Sequence, residues 1–217
     1  MQLKQADINH RAFRPTDLRD ERTELFGLSL ETALRRKQVE LEIGCGVGWH
    51  PIETAKNLLA DEQALIAIER TNNKFLAFKR RFENHPHLQN VLTGVHADAF
   101  HFIAQAIPDQ ALAKIWMLYP NPEIKRPNNR WYRSPGFRRA LMALRLGGRF
   151  HFATNLSEYA LAGEAQTTRL GLRLLEKQLI TKTDQPNFSP RTHFEKKYYE
   201  RGEQLFDYTF EKANEAP

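Results

Sequence analysis

A glycine-rich segment, Glu42-Ile-Gly-Cys-Gly-Val-Gly48, is the first part of the chain whose residue types suggest chemistry. Glycines at alternate positions (Gly44, Gly46 and Gly48) let the backbone turn sharply and approach a ligand without obstruction from a Cβ atom. A dinucleotide fingerprint would place the third glycine one residue later, and a Walker loop would place a lysine directly after Gly48. The segment therefore favours a ligand-binding turn outside these two classes, with a purely structural turn as the alternative.

Two acidic residues stand where the next strands should end. Glu69 comes about twenty residues after the last glycine, where a carboxylate can accept hydrogen bonds from both hydroxyls of a ribose. Asp98 precedes a segment with helical spacing, so it could bind the amino group of an adenine or cap that helix. Together with the glycines, these acids predict a site for a nucleoside-like ligand.

Positive charge is concentrated in residues 123–139, which hold six basic residues and one acidic residue. Asparagines and aromatic residues suited to nucleotide contacts are interleaved with them: Asn128, Asn129, Trp131 and Tyr132. The segment predicts an RNA-facing loop in which Arg126, Arg130 and Arg133 bind phosphates. The alternative is a solvated loop with its two aromatic side chains folded back on the core.

The composition excludes several classes of protein. The chain has 217 residues, 41% of them hydrophobic, enough for one sizeable core. A mean hydropathy of −0.60 and the lack of a long apolar run argue against a membrane span, and the first residues resemble no secretory signal. One cysteine, Cys45, allows no internal disulfide, and the histidines lack metal-ligand spacing. We expect a cytoplasmic protein without a metal, and the sequence does not distinguish a monomer from a dimer.

Short apolar runs alternate with segments of helical spacing from residue 39 onward. Buried strands are expected at residues 39–43, 65–68, 91–92, 115–118 and 150–153. The alternation predicts one doubly wound α/β domain over residues 31–217, with residues 1–30 as an extension or short helices packed on it. Alternating aromatic residues, Phe206, Tyr208 and Phe210, predict a further strand that lies antiparallel at an edge of the sheet.

These elements resemble a class I S-adenosylmethionine-dependent methyltransferase, and three motifs resemble the bacterial tRNA (guanine-N7)-methyltransferases. Tyr119-Pro-Asn-Pro-Glu-Ile-Lys-Arg126 is similar to the family's Phe-Pro-Asp-Pro-Trp-x-Lys-x-Arg-His motif. Residues 147–155 resemble its Gly-Gly-x-hydrophobic-Thr-Asp segment, and Thr192-His-Phe-Glu195 matches Thr-x-Phe-Glu. The resemblance runs from about residue 39 to 210 and implies a Rossmann-like, mostly parallel seven-stranded sheet, S-adenosylmethionine as cofactor and tRNA as substrate.

The resemblance and the residue pattern together assign the site residues. The residues expected to hold the cofactor are Glu42, Gly44, Gly46, Glu69 and Asp98. The residues expected to surround the acceptor base or bind the RNA are Asn121, Lys125, Arg126, Arg130, Asn155, Thr192 and Glu195, of which Asn121 occupies the catalytic position.

Two asparagines depart from the family pattern. The family's proline-flanked aspartate is Asn121 here, and the aspartate after Thr154 is Asn155. Because methylation of guanine N7 makes the base cationic, a neutral residue there predicts a slower enzyme, a substitute carboxylate (Glu123 or Glu195) or another substrate. The alternatives are an amino-group methyltransferase that uses Asn121-Pro122, and an RNA-binding protein without catalysis.

Overall fold

The computed structural model describes residues 23–213, which form a mixed sheet of eight strands flanked by helices. The strands are β1 Glu24–Gly27, β2 Gln38–Ile43, β3 Gln63–Glu69, β4 Leu92–His96, β5 Leu112–Leu118, β6 Leu144–Thr154, β7 Leu172–Ile180 and β8 Leu205–Lys212. Their order across the sheet is β1-β4-β3-β2-β5-β6-β8-β7. β2 to β7 run parallel to one another, while β1 and β8 are antiparallel to their neighbours.

Helices cover both faces of the sheet, so the doubly wound α/β arrangement is confirmed. The helices are α1 Leu30–Leu34, α2 Trp49–Ala55, α3 Asn72–Glu83, α4 Ala99–Ala106, α5 Pro135–Ala143, α6 Ser157–Arg169 and α7 His193–Glu200. On β3, Ile66 packs in a core cluster with α4, α5 and α6, while its neighbour Leu65 packs in a second cluster with α2 and α3. Successive side chains of a strand point to opposite faces, which explains the division.

An eighth strand, β1, lies at one edge of the sheet, in a segment that we expected to be an extension or short helices. It pairs antiparallel with β4. Phe26 of β1 packs against Phe75, Phe78 and Phe82, the aromatic stripe of α3. A Cβ atom at Gly94 of β4 would lie 2.1 Å from the Phe26 ring, so this glycine makes room for the contact. The segment of residues 1–22 lies outside the described residues.

The predicted C-terminal strand is β8, and its antiparallel direction is confirmed. Its predicted place at an edge is wrong, because β8 lies between β6 and β7. Tyr208 and Phe210 are buried in the larger core cluster. Alternation of apolar and polar residues indicates that one face of a strand is buried. Because interior and edge strands can show the same alternation, the pattern does not predict the position of the strand in the sheet.

The chain reverses its order of strands at β2, whose neighbours are β3 on one side and β5 on the other. In open α/β sheets a crevice forms at such a switch point, outside the carboxyl ends of the strands. The fold therefore brings the residues after β2, β3 and β5 to one place. Among residues 23–213, none of the helices combines the length and apolarity that crossing a bilayer requires.

Candidate functional site

A cleft of about 610 Å³ opens at the carboxyl ends of β2 to β6 and is bordered by the start of α7. Eight of the residues assigned to the site from sequence line this cleft: Glu42, Gly44, Gly46, Glu69, Asp98, Asn121, Asn155 and Thr192. The other four assigned residues, Lys125, Arg126, Arg130 and Glu195, do not line it. The fold thus joins residues from the glycine segment with residues from all three later motifs.

The glycine segment forms an open floor for the cleft. Gly44 and Gly46 have φ angles of 76° and 62°, and a Cβ atom on either would meet nothing within 4 Å. Gly48 differs, because a Cβ atom there would lie 2.0 Å from Cδ2 of Phe78 in α3. The first two glycines therefore give a ligand access to the backbone, while the third allows α2 to approach α3.

The carboxylate of Glu69 is held in a fixed orientation at the end of β3. Its Oε2 accepts a hydrogen bond from the backbone N–H of Gly46 at 2.9 Å, and its Oε1 accepts one from Thr71 at 2.6 Å. A carboxylate oxygen has more than one acceptor direction, so both oxygens keep acceptor capacity. Glu69 can therefore support the glycine turn and accept two further hydrogen bonds from vicinal hydroxyls.

Glu42 and Asp98 lie on the same side of the cleft. Buried Glu42 accepts a hydrogen bond from Nδ1 of His50 in α2 at 2.9 Å. Oδ1 of Asp98 caps α4 by accepting from the backbone N–H of Phe100 at 3.1 Å and of His101 at 3.3 Å. The capping interpretation of Asp98 is confirmed, and its second oxygen takes no part in the cap.

Asn121 lies on the opposite side of the cleft, in the turn after β5. Its Nδ2 donates a hydrogen bond to Oε1 of Glu123 at 2.9 Å, and its Oδ1 accepts one from the backbone N–H of Glu123 at 3.4 Å. Tyr119 and Glu123 have φ angles of 52° and 45°, in the left-handed region that L-residues rarely adopt. Both residues line the cleft together with Asn121.

Glu195 is buried, which contradicts its assignment to substrate binding. Its side chain is 0% exposed. It forms an ion pair with Arg191 at 2.6 Å and accepts a hydrogen bond from the hydroxyl of Tyr119 at 3.1 Å. Burial, together with the nearby charge of Glu195, raises the pKa of Tyr119, so the hydroxyl remains a proton donor. Glu195 therefore acts as a buried link between β5 and α7.

Arg130 is also buried, at 6% exposure, and cannot reach an RNA phosphate in this conformation. Its Nε donates to the carbonyl of Pro122 at 3.1 Å, and its Nη2 pairs with Glu158 at 2.5 Å. The adjacent Trp131 and Tyr132 are buried as well, so these aromatic residues belong to the core and not to an RNA surface. The sequence pattern alone did not distinguish RNA binding from core packing, because aromatic and arginine side chains occur in both.

Four basic residues of the same segment remain exposed outside the cleft: Lys125, Arg126, Arg133 and Arg138. Nη1 of Arg133 donates a hydrogen bond to Asn128 at 2.6 Å, which leaves its charge at the surface. The positively charged surface predicted from sequence is therefore present, although it has fewer members than the sequence suggests.

Asn155 and Thr192 complete the far wall of the cleft. Nδ2 of Asn155 donates a hydrogen bond to Oε2 of Glu203 at 2.7 Å. Thr192 is the N-cap of α7, where its hydroxyl accepts from the backbone N–H of Glu195 at 3.0 Å. The Thr-x-Phe-Glu motif is therefore the capped start of a helix whose first residues line the cleft.

An aromatic wall that the sequence analysis missed borders the cleft: Trp49, His193, Phe194 and Tyr198. The rings of Phe194 and Tyr198 stack at 6.1 Å, and Nζ of Lys74 lies 5.5 Å above the Phe194 ring. Phe194 lies inside the Thr-x-Phe-Glu motif, and its place in that motif was the available sequence signal. His193 and Tyr198 belong to the same helix, α7, while Trp49 comes from α2 and is brought to the wall only by the fold.

Neither nucleophilic catalysis by Cys45 nor a metal centre is indicated. Burial, reinforced by the charges of Glu42 and Glu69, raises the pKa of the Cys45 thiol well above its usual value, which disfavours a reactive thiolate. Residues 23–213 contain no group of three or more histidine, cysteine or acidic side chains arranged to hold a metal ion.

The fold is similar to that of solved methyltransferases. It matches the 16S rRNA methyltransferase KamB with a TM-score of 0.62 at 16% identity, over 86% of this chain and 92% of that chain. An antibiotic-related methyltransferase matches with a TM-score of 0.60 at 16% identity, over 82% of this chain and 90% of that chain. The sheet order and the cleft at its switch point define the class I methyltransferase fold.

The sequence comparisons identify the family. The family model described as "Putative methyltransferase" matches residues 36–208. The tRNA (guanine-N(7)-)-methyltransferase of Shewanella amazonensis is 31% identical over 194 residues, which cover 88% of this chain and 76% of that protein. The enzyme of the same name from Salmonella typhimurium is 29% identical over 82% of this chain and 74% of its own length. The chain belongs to the tRNA (guanine-N(7)-)-methyltransferase family.

Proposed function

We propose that this protein transfers a methyl group from S-adenosylmethionine to N7 of a guanine in tRNA, and that it acts in the cytoplasm. The observation that carries the proposal is the cleft, in which a glycine floor with Glu69 faces the Asn121 turn and the start of α7. The names of the relatives from Shewanella amazonensis and Salmonella typhimurium supply the acceptor atom and the class of RNA.

The donor side of the cleft fits S-adenosylmethionine. Open space above Gly44 and Gly46 can accept a nucleoside close to the backbone, and Glu69 offers two oriented oxygens for ribose hydroxyls. Glu42 and Asp98 place negative charge beside a ligand that carries a cationic sulfonium. S-adenosylmethionine supplies an electrophilic methyl group when it is bound.

The acceptor side needs to position a base more than to move a proton. N7 of guanine carries a lone pair and no proton, so no general base is required. The residues of the Asn121 turn, Asn155 and Thr192 would hold the base in line with the methyl group and exclude water. In support, both ring nitrogens of His50, a candidate base by residue type, have protein partners: Nδ1 lies 2.9 Å from Glu42 and Nε2 lies 3.4 Å from the hydroxyl of Thr54.

Exposed positive charge borders the acceptor side of the cleft. Lys125, Arg126 and Arg133 are exposed in the segment that follows the Asn121 turn. Basic side chains beside the cleft would bind phosphates and orient the RNA without reading its sequence. A net charge of +6 is consistent with a polyanionic partner.

The alternative of an amino-group methyltransferase is less well supported. That chemistry needs a side-chain carbonyl oxygen that accepts a hydrogen bond from the target amino group. In the motif of those enzymes a second proline and an aromatic residue follow the Asn-Pro pair, whereas Pro122 is followed here by Glu123, which holds the Asn121 amide.

The test is to incubate the full chain with radiolabelled S-adenosylmethionine and total tRNA, and then to identify the methylated nucleoside. We expect 7-methylguanosine. Glu69→Ala should abolish binding of S-adenosylmethionine in a calorimetric titration, whereas Lys125→Ala should bind the donor like the wild type and methylate tRNA more slowly. A methylated exocyclic amino group, or no methylated product, would contradict the proposal.

A further inference from the structure

Four carboxylates line the cleft within the described part of the chain, and three of them lie on the donor side. Glu42 is hydrogen-bonded to His50, Glu69 accepts from two backbone N–H groups, and Asp98 caps α4. The fourth, Glu123, lies on the acceptor side beside Asn121. It is therefore the carboxylate in the best position to act on the base that receives the methyl group.

The backbone at Glu123 is held in an unusual conformation. Its φ angle of 45° lies in the left-handed region, which an L-residue occupies only where its surroundings enforce it. Its carbonyl accepts from the backbone N–H of Arg126 at 2.9 Å, and the preceding carbonyl, of Pro122, accepts from buried Arg130 at 3.1 Å. The loop is thus anchored on both sides of Glu123, and Asn121 fixes the side chain.

We propose that the Glu123 carboxylate stabilises the positive charge that develops on the guanine during methyl transfer, an inference that rests on the function proposed above. The N7 lone pair forms the new bond to the methyl carbon, and the electron pair of the breaking carbon–sulfur bond goes to sulfur. No proton moves, and the positive charge passes from the sulfonium to the base. A carboxylate beside the base favours the charged product and the transition state that leads to it.

Two further carboxylates near the acceptor side, Glu195 and Glu203, do not fit this role. Glu195 is fully buried and its charge is compensated by Arg191. Glu203 accepts a hydrogen bond from Asn155, as Glu123 does from Asn121, but Glu203 does not line the cleft. The amide of Asn121 would orient the Glu123 carboxylate by donating Nδ2–H to it.

The first test is Glu123→Gln, which removes the charge and retains an oxygen that can accept from Asn121. We expect the kcat for tRNA methylation to fall on the order of 10- to 100-fold, with donor affinity unchanged and at most a small change in the KM for tRNA. Glu83→Gln removes one exposed charge at the end of α3 and should leave the kcat unchanged. An unchanged kcat for Glu123→Gln, or a rise in KM alone, would overturn the inference.

The second test restores the charge two residues away. In the Glu123→Gln background, Asn121→Asp should recover most of the lost kcat, because the new carboxylate lies within the same hydrogen-bonded pair. Failure to recover, in a variant with wild-type thermal stability and donor affinity, would show that charge is not what Glu123 supplies.

The product of the wild type separates this inference from the function on which it depends. If the wild type forms 7-methylguanosine and Glu123→Gln forms it at the same rate, only the role of Glu123 is refuted. If the wild type does not form 7-methylguanosine, both proposals fall together.

Discussion

The hydroxyl of Tyr119, directly after β5, donates a hydrogen bond to Oε1 of Glu195 in α7 at 3.1 Å. Both residues are buried, and Arg191 neutralises the Glu195 carboxylate through an ion pair. Two sequence motifs that are far apart in the chain therefore form one structural unit. Because Tyr119 begins the turn that carries Asn121, the link fixes the distance between the two walls of the acceptor side.

Replacing Glu195 by Gln should reduce stability more than it affects RNA contacts. The change removes one of the two acidic partners of Arg191 and leaves the other, Asp207, at 2.5 Å. Because a buried ion pair is broken, we expect the free energy of unfolding to fall by about 2 to 4 kcal/mol. Urea denaturation would measure the loss. Glu200→Gln, at an exposed position of the same helix, should change stability by less than about 0.5 kcal/mol. Wild-type stability with impaired tRNA binding would instead support a direct contact between Glu195 and RNA.

Two arginines of the basic segment should behave differently when each is replaced by Ala. Arg126 is exposed, so its loss should weaken tRNA binding and reduce the slope of log affinity against log salt by about 1. Arg130 is buried and paired with Glu158, so its loss should lower the denaturation midpoint. Fluorescence titrations with tRNA at several salt concentrations, together with denaturation curves, would distinguish them. Equal effects of the two variants on the salt slope would contradict the assignment.

Phe194 should bind RNA through its ring. Its side chain is 37% exposed at the cleft and stacks on Tyr198. If a base stacks there, Phe194→Ala should weaken tRNA binding by about 1 to 3 kcal/mol without changing donor affinity.

Two further variants test the Phe194 prediction. Leu161→Ala, which removes a 59% exposed apolar side chain on α6, serves as the control and should leave tRNA affinity unchanged. Phe194→Leu separates stacking from simple burial: wild-type affinity in that variant would show that an aromatic face is not required.

His151 should make stability depend on pH. Burial, reinforced by nearby positive charge, lowers the pKa of His151 to about 3, so the folded protein keeps this side chain neutral where the unfolded chain would protonate it. Stability from this group is complete above about pH 6.5 and falls with decreasing pH by about 1.4 kcal/mol per unit. Burial is the larger cause, and the nearby basic side chains are those of Lys114, Arg191, Arg149 and His50. Denaturation of wild type and His151→Gln between pH 7 and 4 should show a shallower decline for the variant; parallel curves would refute the prediction.

The sequence was sufficient to predict that the glycine segment and Glu69 lie together at one cleft. Alternating glycines and an acid at the end of the next strand impose their geometry locally, because a β-strand, a sharp turn and a helix fix the position of Glu69 relative to Gly46. The expectation of helices on both faces followed from the alternation of apolar runs with helical spacing. The first of these features depends on short segments of regular structure, and the second depends on the regular spacing of apolar residues along the chain.

On the opposite side of the cleft, the sequence indicated which segments meet but not which of their side chains are exposed. Arg130 and Glu195 carry charges that usually lie at the surface, and only the packed structure supplies their buried partners, Glu158 and Arg191. Likewise, alternation marked β8 as a strand without indicating that it has a neighbour on each side. Whether a polar side chain serves binding or packing depends on long-range partners, which a single sequence does not reveal.

The position of β8 between β6 and β7 also has a consequence for synthesis on the ribosome. Within the described chain, β7 hydrogen-bonds only to β8, although β7 precedes it in the sequence. Residues 172–180 therefore cannot form their native strand pairing until residues 205–212 have left the ribosome and paired between β6 and β7. The β6-β8-β7 part of the sheet therefore forms late in synthesis. The wall of the cleft formed by α7 reaches its final position only after these strands have paired.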